Sequence, residues 1–296
     1  MDNVSNLTSE GRLNKVPGQH EYDGILYLPT TPRSHLESIK NVRFTSEDLL
    51  VATFSKSGTT WCQEIIYLIS NGVNVEEAKS RPITERVPFL DVEINWAGIT
   101  ALKSPKLLKT HLRPHFFQTQ ILDNRVKAVV VMRNPKDVLV SFYHFYKSYH
   151  MFGPFPGTWN EFFELAKNKQ LIYGDWFDHI LAWWAFRSRP NVFFLKYEDL
   201  KMHPRANVAK LAQFMNRDLT EDEITKIVEA TSFNTMKKNP SVNYLKTEDK
   251  RNNFIRKGAI GGWKNYFTVA QNEYFDDRYE IKMKGSGLEF TFESNE

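Results

Sequence analysis

The sequence predicts an α/β fold, a single domain with a central parallel sheet flanked by helices. Four apolar runs have the length of strands, at residues 49–54, 106–111, 126–132 and 191–197. Helical periodicity fills the intervals between them. Alternation of strands and helices is typical of a parallel sheet that is buried on both faces. Since no repeat and no low-complexity linker interrupts the chain, we expect one domain over residues 1–296.

Composition and charge limit the class of protein. The chain is 41% hydrophobic and 25% charged, and its net charge of +4 is spread along the sequence, which does not favour a nucleic-acid partner. The single cysteine, Cys62, excludes an intramolecular disulfide. No apolar stretch reaches the ~18–20 residues of a membrane-spanning helix, and no secretory signal is visible. We therefore expect a cytoplasmic protein with no membrane partner.

Two segments depart from the strand–helix alternation. Residues 1–40 are polar and rich in turn formers, with a possible short strand at 22–28, and we expect an N-terminal arm that wraps the domain. Residues 238–258 are polar and lack periodicity. A loop of this length in a compact domain is usually functional or disordered, so we predict a mobile loop there.

The helices follow from periodicity and from their start signals. Asn134 before Pro135 supplies an N-cap residue and a proline at the first helical position, with Asp137 in the first turn. Thr220 followed by Glu223 fits a capping box. Helices are predicted over residues 60–71, 135–149, 159–169, 175–187, 204–216, 220–230 and 269–283.

The first strand leads into a P-loop-like strand–loop–helix that predicts an anion-binding site. Its loop reads Phe54-Ser55-Lys56-Ser57-Gly58-Thr59-Thr60-Trp61. Backbone N–H groups in the first turn of a helix have no intrahelical acceptors, and the helix dipole favours an anion beside them. The glycine permits close backbone approach, the threonines add hydroxyl groups, and the lysine adds a charge.

The other strands bring further polar residues to the same edge. In open α/β sheets, ligands bind beyond the carboxyl ends of the strands. The second strand ends in Lys109-Thr110-His111, and the third in Arg133, with Ser141 two turns along the next helix. The fourth ends at Tyr197. Two lysines, an arginine and a histidine suit a ligand with more than one phosphate-like group.

Two other functions remain open from these residues alone, a nucleotide kinase and a catalytically silent nucleotide-binding protein. A kinase P-loop has lysine directly after its second glycine, whereas Lys56 precedes Gly58. Such enzymes also hold Mg²⁺ with a strand-end aspartate, and Arg133 stands there instead. His111 and His115 are four residues apart, but the intervening proline argues against a shared helical face. We expect no metal.

The chain resembles the cytosolic sulfotransferases, which transfer a sulfuryl group from 3′-phosphoadenosine 5′-phosphosulfate (PAPS) to small acceptors and release PAP. The resemblance runs from about residue 40 to 285. Four stretches carry it: residues 54–61, residues 109–112, the pair Arg133 and Ser141, and residues 256–264. In one departure, Ser55 stands where the family usually has proline. The resemblance implies PAPS as cofactor, a phenol- or steroid-like acceptor, and a role in xenobiotic or hormone metabolism.

The resemblance also implies roles for individual residues. His111 would be the general base, Lys56 would stabilise the departing oxygen, and Lys109 would assist at the sulfuryl group. The nucleotide would be bound by Lys56, Ser57, Gly58, Thr59, Thr60, Trp61, Arg133, Ser141, Tyr197, Thr231, Phe233, Arg256, Lys257 and Gly258. The acceptor pocket would include Phe89, Lys109, His111, Phe145, Met151 and Tyr244. His144 is the rival histidine, and we expect it to pack.

A short segment near the C-terminus matches the one that the family uses for homodimer contact. It spans residues 264–273, with Lys264 and Glu273 at its ends and Thr268-Val269 in the middle. The alternative is a simple loop that begins a helix. The match predicts a homodimer through Lys264–Glu273.

Overall fold

Four strands form the predicted parallel sheet. The computed structural model describes residues 16–148, 155–243 and 254–293. The strands in chain order are β1 (His20–Tyr22), β2 (Ile25–Tyr27), β3 (Leu49–Thr53), β4 (Leu107–Thr110), β5 (Lys127–Met132) and β6 (Val192–Lys196). The sheet has the order β4-β3-β5-β6, and each of its pairings is parallel. The predicted α/β fold is confirmed.

The prediction of one short strand at residues 22–28 is wrong. This region contains the antiparallel hairpin of β1 and β2, which turns at Asp23 and Gly24. Both turn residues have positive φ, 51° and 69°. A two-residue turn with positive φ at both positions matches the right-handed twist of the strands that it joins. The Asp-Gly pair inside the apolar run is therefore a hairpin turn, not part of a strand.

Helices cover the sheet, and the seven long ones lie where periodicity predicts them. The helices in chain order are α1 (Arg33–Ile39), α2 (Thr59–Ser70), α3 (Val75–Ser80), α4 (Ile83–Arg86), α5 (Trp96–Ala101), α6 (Gln118–Leu122), α7 (Pro135–Ser148), α8 (Trp159–Lys167), α9 (Trp176–Trp184), α10 (Tyr197–Met202), α11 (Pro204–Phe214), α12 (Glu221–Ala230), α13 (Phe233–Lys238) and α14 (Val269–Met283). The unpredicted helices α1, α3–α6, α10 and α13 are only four to seven residues long, too short to show a helical period. Within the described ranges, no helix has the length and apolar character needed to cross a bilayer.

The sheet is buried on both faces, as the apolar character of its strands predicts. Alternate residues of β3 contact different layers, because successive side chains in a strand point to opposite faces. Leu50 and Ala52 pack in one core cluster with Phe142. Leu49 and Val51 pack in the other, with residues of α2 and α11. The carboxyl edge of the sheet is where the loop before α2 and the starts of α7 and α10 meet.

Candidate active site

The loop at residues 54–60 has the backbone of an anion site. Gly58 is the N-cap residue of α2, with φ of 101°. A Cβ atom there would lie 2.7 Å from Cδ2 of Tyr197, so a side chain cannot be added without displacing that ring. No residue in the described parts of the chain accepts a hydrogen bond from the amides of residues 58–61. These N–H groups are available to an anion.

One large cavity opens beside this loop. Its volume is about 660 Å³, and its walls come from the carboxyl edge of the sheet and from residues 254–259. It is lined by the predicted residues Lys56, Gly58, Thr59, Thr60, Trp61, Phe89, Lys109, His111, Arg133, Ser141, Phe145, Tyr197, Thr231, Phe233, Arg256, Lys257 and Gly258. Ser57 is fully buried, and its hydroxyl has no partner among the described residues. Met151 and Tyr244 lie outside the described residues.

The end of β3 fixes the tautomer of His111. Its Nδ1 atom lies 2.9 Å from the carbonyl oxygen of Thr53 and 2.9 Å from that residue's Oγ1. Because a carbonyl oxygen can only accept, Nδ1 carries the proton and Nε2 keeps its lone pair. Nε2 has no hydrogen bond to any residue in the described ranges. Burial, and then the charge of Lys109, hold the pKa of His111 well below its ordinary value. The imidazole is therefore a neutral base.

Asp91 anchors the backbone that presents this histidine. The carboxylate is fully buried, and its two oxygens accept from the backbone N–H of His111 at 2.8 Å and from Oγ1 of Thr110 at 2.6 Å. Burial raises the pKa of Asp91 to about 7, against the effect of these hydrogen bonds. The sequence analysis did not identify Asp91, because a single acidic residue in a short segment between helices is also typical of an ordinary loop.

Two lysines reach into the cavity over aromatic rings. Nζ of Lys56 lies 4.2 Å from the ring centre of Phe145 and 4.1 Å from that of Phe254, and Nζ of Lys109 lies 4.1 Å from that of Phe89. Burial, and then nearby cations, lower the pKa of Lys56 to about 7, and burial lowers that of Lys109 to about 8. An anion bound between the two ammonium groups would favour their charged forms and raise both pKa values.

Arg133 joins the anion loop to the segment that carries Arg256 and Lys257. Its guanidinium donates to the carbonyl of Lys56 at 3.4 Å and to that of Ala259 at 3.0 Å. Its Cζ atom lies 4.2 Å from the ring centre of Tyr197. The Nε atom is buried without a partner among the described residues. The predicted cations therefore meet on one side of the cavity.

Gly258 permits close contact between that segment and an aromatic wall. It has φ of 63°, and a Cβ atom there would overlap the ring of Phe233. The hydroxyl of Thr231 donates to the carbonyl of Ile227 at 2.7 Å. Rings of Trp61 and Tyr197 meet edge to face, with centroids 5.4 Å apart. These residues form an aromatic end of the cavity, and aromatic rings can pack against a heterocyclic base.

The cavity also has walls that the sequence did not indicate. Most of them come from short helices and irregular segments, which carry no periodic signal, and a few from predicted helices. These residues are Leu28, Thr30, Ser55, Ile65, Thr84, Val92, Asn95, Asp137, Tyr173, Leu200, Lys201, Pro204, Val208, Val228, Ser232, Met236, Phe254, Ile255, Ala259 and Gly262. His144 does not line the cavity, and its Nε2 lies 2.7 Å from the hydroxyl oxygen of Tyr266. Among the residues described, no group of three or more His, Cys, Asp or Glu side chains could hold a metal ion.

Comparisons with known proteins agree on one family. A family model described as a sulfotransferase domain matches residues 46–287. Human sulfotransferase 1C2 is 39% identical over 97% of this chain and 99% of its own length. Mouse sulfotransferase 1B1 is 41% identical over 86% of this chain and 88% of its own.

Solved structures give the same result. Mouse sulfotransferase SULT7A1, solved with PAP, superposes with a TM-score of 0.77 at 29% identity, covering 91% of this chain and 96% of the other. Retinol dehydratase, solved with androsterone and the inactive cofactor PAP, superposes with a TM-score of 0.80 at 25% identity, covering 94% of this chain and 93% of the other.

Proposed function

This chain belongs to the sulfotransferase family, and from that premise we propose that it transfers the sulfuryl group of PAPS to a hydroxyl or amine of a small acceptor. One observation carries the proposal: Nδ1 of His111 lies 2.9 Å from the carbonyl oxygen of Thr53, which keeps the imidazole proton on Nδ1. The ring lines the same cavity that the anion loop borders. The free lone pair of Nε2 is what deprotonation of an acceptor requires.

The residues around the cavity fit the nucleotide. Arg133 Nε and Trp61 Nε1 are buried polar atoms that lack partners among the described residues, and buried polar groups are normally satisfied. We propose that the amides of the 54–60 loop hold the 5′-phosphate. Arg133 and Ser141 would bind the 3′-phosphate with residues 256–258, and the adenine would lie between the residues of the aromatic end. The two similar structures described above contain PAP.

PAPS, when bound, supplies the sulfuryl group, which passes to the acceptor oxygen or nitrogen and leaves PAP. Nε2 of His111 takes the acceptor proton, and Nδ1–H keeps its bond to Thr53 as the ring becomes an imidazolium. Lys56 and the amides beside it stabilise the negative charge that develops on the departing phosphate. Lys109 stabilises the charge around the transferring group. The aromatic walls exclude water from these cations and strengthen their effect.

We propose an aromatic or steroid-like acceptor. Apolar side chains with a few polar groups among them are what a site for such molecules requires. Here Phe89 and Tyr173 flank the base, with ring centroids 5.0 and 5.2 Å from that of His111, and Phe145 and Phe254 flank Lys56. Retinol dehydratase has been solved with androsterone and with retinol. Met151 and Tyr244 remain predicted wall residues.

We also propose a homodimer through residues 264–273. Val269 in this segment is 77% exposed, an apolar side chain in water at the first position of α14. A partner copy would cover it. The cytoplasmic location, the single domain with its arm and mobile loop, and the independence from metal remain predictions from the sequence.

A donor assay tests the proposed activity. The protein is incubated with a panel of phenols, steroids and aryl amines, with PAPS or ATP as donor, with and without a chelator. We expect sulfated product with PAPS, no transfer from ATP, and no effect of chelation. Transfer from ATP alone would support the kinase alternative. PAP binding without transfer to any acceptor would support a silent nucleotide-binding protein.

A further inference from the structure

The carboxylate of Asp137 ties the start of α7 to a distant loop. Its Oδ2 accepts from the backbone N–H of Gly261 at 2.9 Å, and its Oδ1 accepts from that of Trp263 at 3.0 Å. Asp137 is 4% exposed, so water does not compete for these bonds. Both oxygens of one side chain thus bind amides two residues apart in a segment more than a hundred residues away.

Asp137 is itself held in one orientation. Its N–H donates to Oδ1 of Asn134 at 2.8 Å, and Nδ2 of Asn134 donates to its Oδ2 at 3.0 Å. Asn134 is fully buried and is fixed in turn by Glu198, whose Oε1 accepts from its backbone N–H at 2.8 Å. The carboxylate therefore offers the loop a rigid pair of acceptors.

The loop that Asp137 holds directly follows the residues proposed to bind the 3′-phosphate. Nη2 of Arg133 lies 3.9 Å from Oδ2 of Asp137 and donates to the carbonyl of Ala259 at 3.0 Å. Residues 259, 261 and 263 are thus each fixed by Arg133 or Asp137. Arg256 and Lys257 line the cavity immediately before these points. The carboxylate therefore fixes the segment that directly follows these two cations.

From these contacts, and resting on the proposed function, we infer that Asp137 is a positioning residue for 3′-phosphate recognition. It holds the loop so that Arg256 and Lys257 face the 3′-phosphate, and it thereby sets the preference for nucleotides that carry this group. Asparagine replaces one of the two carboxylate oxygens with an NH₂ group, which donates, so one of the two amides loses its acceptor. The substitution also removes the charge that faces Arg133.

The test compares two nucleotides that differ only in the 3′-phosphate. The dissociation constants (Kd) of PAP and of adenosine 5′-phosphate are measured by calorimetry on the full chain. For Asp137→Asn we expect the Kd of PAP to rise at least about tenfold. The Kd of adenosine 5′-phosphate should stay within about twofold. Since both ligands are measured on one preparation, a lower folded fraction does not change the ratio of the two constants.

Two further variants keep the result decisive. Asp276→Asn is the matched control, because Asp276 in α14 pairs with Lys136, the neighbour of Asp137 in α7, and does not line the cavity. Both constants should stay within about twofold. Asp137→Glu keeps the charge and both oxygens but is longer, and should lower the preference less. If Asp137→Asn does not fold, a lower preference in Asp137→Glu supports the inference.

The inference is wrong if Asp137→Asn keeps the preference for PAP of the unmodified chain, or weakens both ligands equally. If Asp137→Asn does not fold, an unchanged preference in Asp137→Glu also contradicts it. An unmodified chain that binds PAP no better than adenosine 5′-phosphate would contradict the proposed function as well. The outcomes for the Asp137 variants reject only the role of Asp137, whereas the outcome for the unmodified chain rejects the proposed function. The two failures are therefore distinguishable.

Discussion

Nδ1 of His111 lies 2.9 Å from the carbonyl oxygen of Thr53, so the last residue of β3 sets the tautomer of a side chain that follows β4. The two strands are paired in parallel, with Ala52 opposite Thr110. The same β3 continues into the loop whose amides face the cavity. The base and the anion site are therefore built on neighbouring strands, and their relative position depends on the register of the sheet.

The lowered pKa of Lys56 predicts proton uptake when PAP binds. At pH 8 the free side chain, with a pKa of about 7, is mostly neutral. A bound polyanion favours the charged form and raises this pKa, so binding at pH 8 takes up protons, and the uptake falls as the pH drops below 7. Calorimetry in buffers of different ionisation enthalpy measures the effect. Lys56→Ala should remove the larger part of this proton uptake. A binding enthalpy at pH 8 that does not depend on the buffer would contradict the prediction.

Gly58→Ala should weaken nucleotide binding. The positive φ and the ring of Tyr197 2.7 Å from the new Cβ would force the loop open, and strain of this kind costs about 1–3 kcal/mol. We expect the Kd of PAP to rise at least about tenfold. Gly98→Ala is the matched control, because nothing lies within 4 Å of a Cβ atom at that helical position. Tight PAP binding by Gly58→Ala would mean that the loop does not hold the phosphate.

Asp91→Asn should lower turnover without weakening PAP binding. The variant disturbs the hydrogen bonds from the His111 N–H and from the Thr110 hydroxyl. We expect kcat to fall about tenfold and the free energy of unfolding to fall by about 1–3 kcal/mol. Asp48→Asn is the control. Asp48 is equally buried and accepts from Lys106 N–H at 2.7 Å at the opposite end of the same strands. It should lose stability but keep kcat, so an equal fall in kcat for both variants would contradict the positioning of His111.

Val269→Asp should convert the proposed dimer into a monomer. A charge at the centre of the apolar contact would remain desolvated in the interface. Ile281→Asp is the control, since Ile281 is 74% exposed on the same helix but outside residues 264–273. Sedimentation of both variants measures the effect. A dimer that survives Val269→Asp and is lost in Ile281→Asp would place the interface elsewhere on α14.

The sequence allowed prediction of the elements that have a period or a motif. The strands of the parallel sheet and the seven long helices were predictable, because their burial repeats along the chain. The loop from Lys56 to Thr60 was predictable, because its backbone conformation demands glycine beside small polar residues. The hairpin at Asp23-Gly24 was missed, although an Asp-Gly pair between apolar residues is itself a signal for a two-residue hairpin turn.

The rest of the site depends on tertiary contacts that have no local signature. Asp91 and Asp137 accept from backbone N–H groups elsewhere in the chain, and the carbonyl of Thr53 accepts from the imidazole of His111. These partners appear only in the folded structure. Tyr173 and Phe254 line the cavity from irregular segments. The orientation of His111 belongs to the same class, since a histidine at a strand end can present either nitrogen.

The most direct test of the account is the turnover of His111→Ala, measured with saturating PAPS alongside the Kd of PAP. His144→Ala is the control, since its imidazole contacts Tyr266 and does not line the cavity. We expect kcat of His111→Ala to fall at least about 100-fold while the Kd of PAP stays within about twofold. His144→Ala should keep most of its turnover. Turnover by His111→Ala close to that of the unmodified chain would contradict the account.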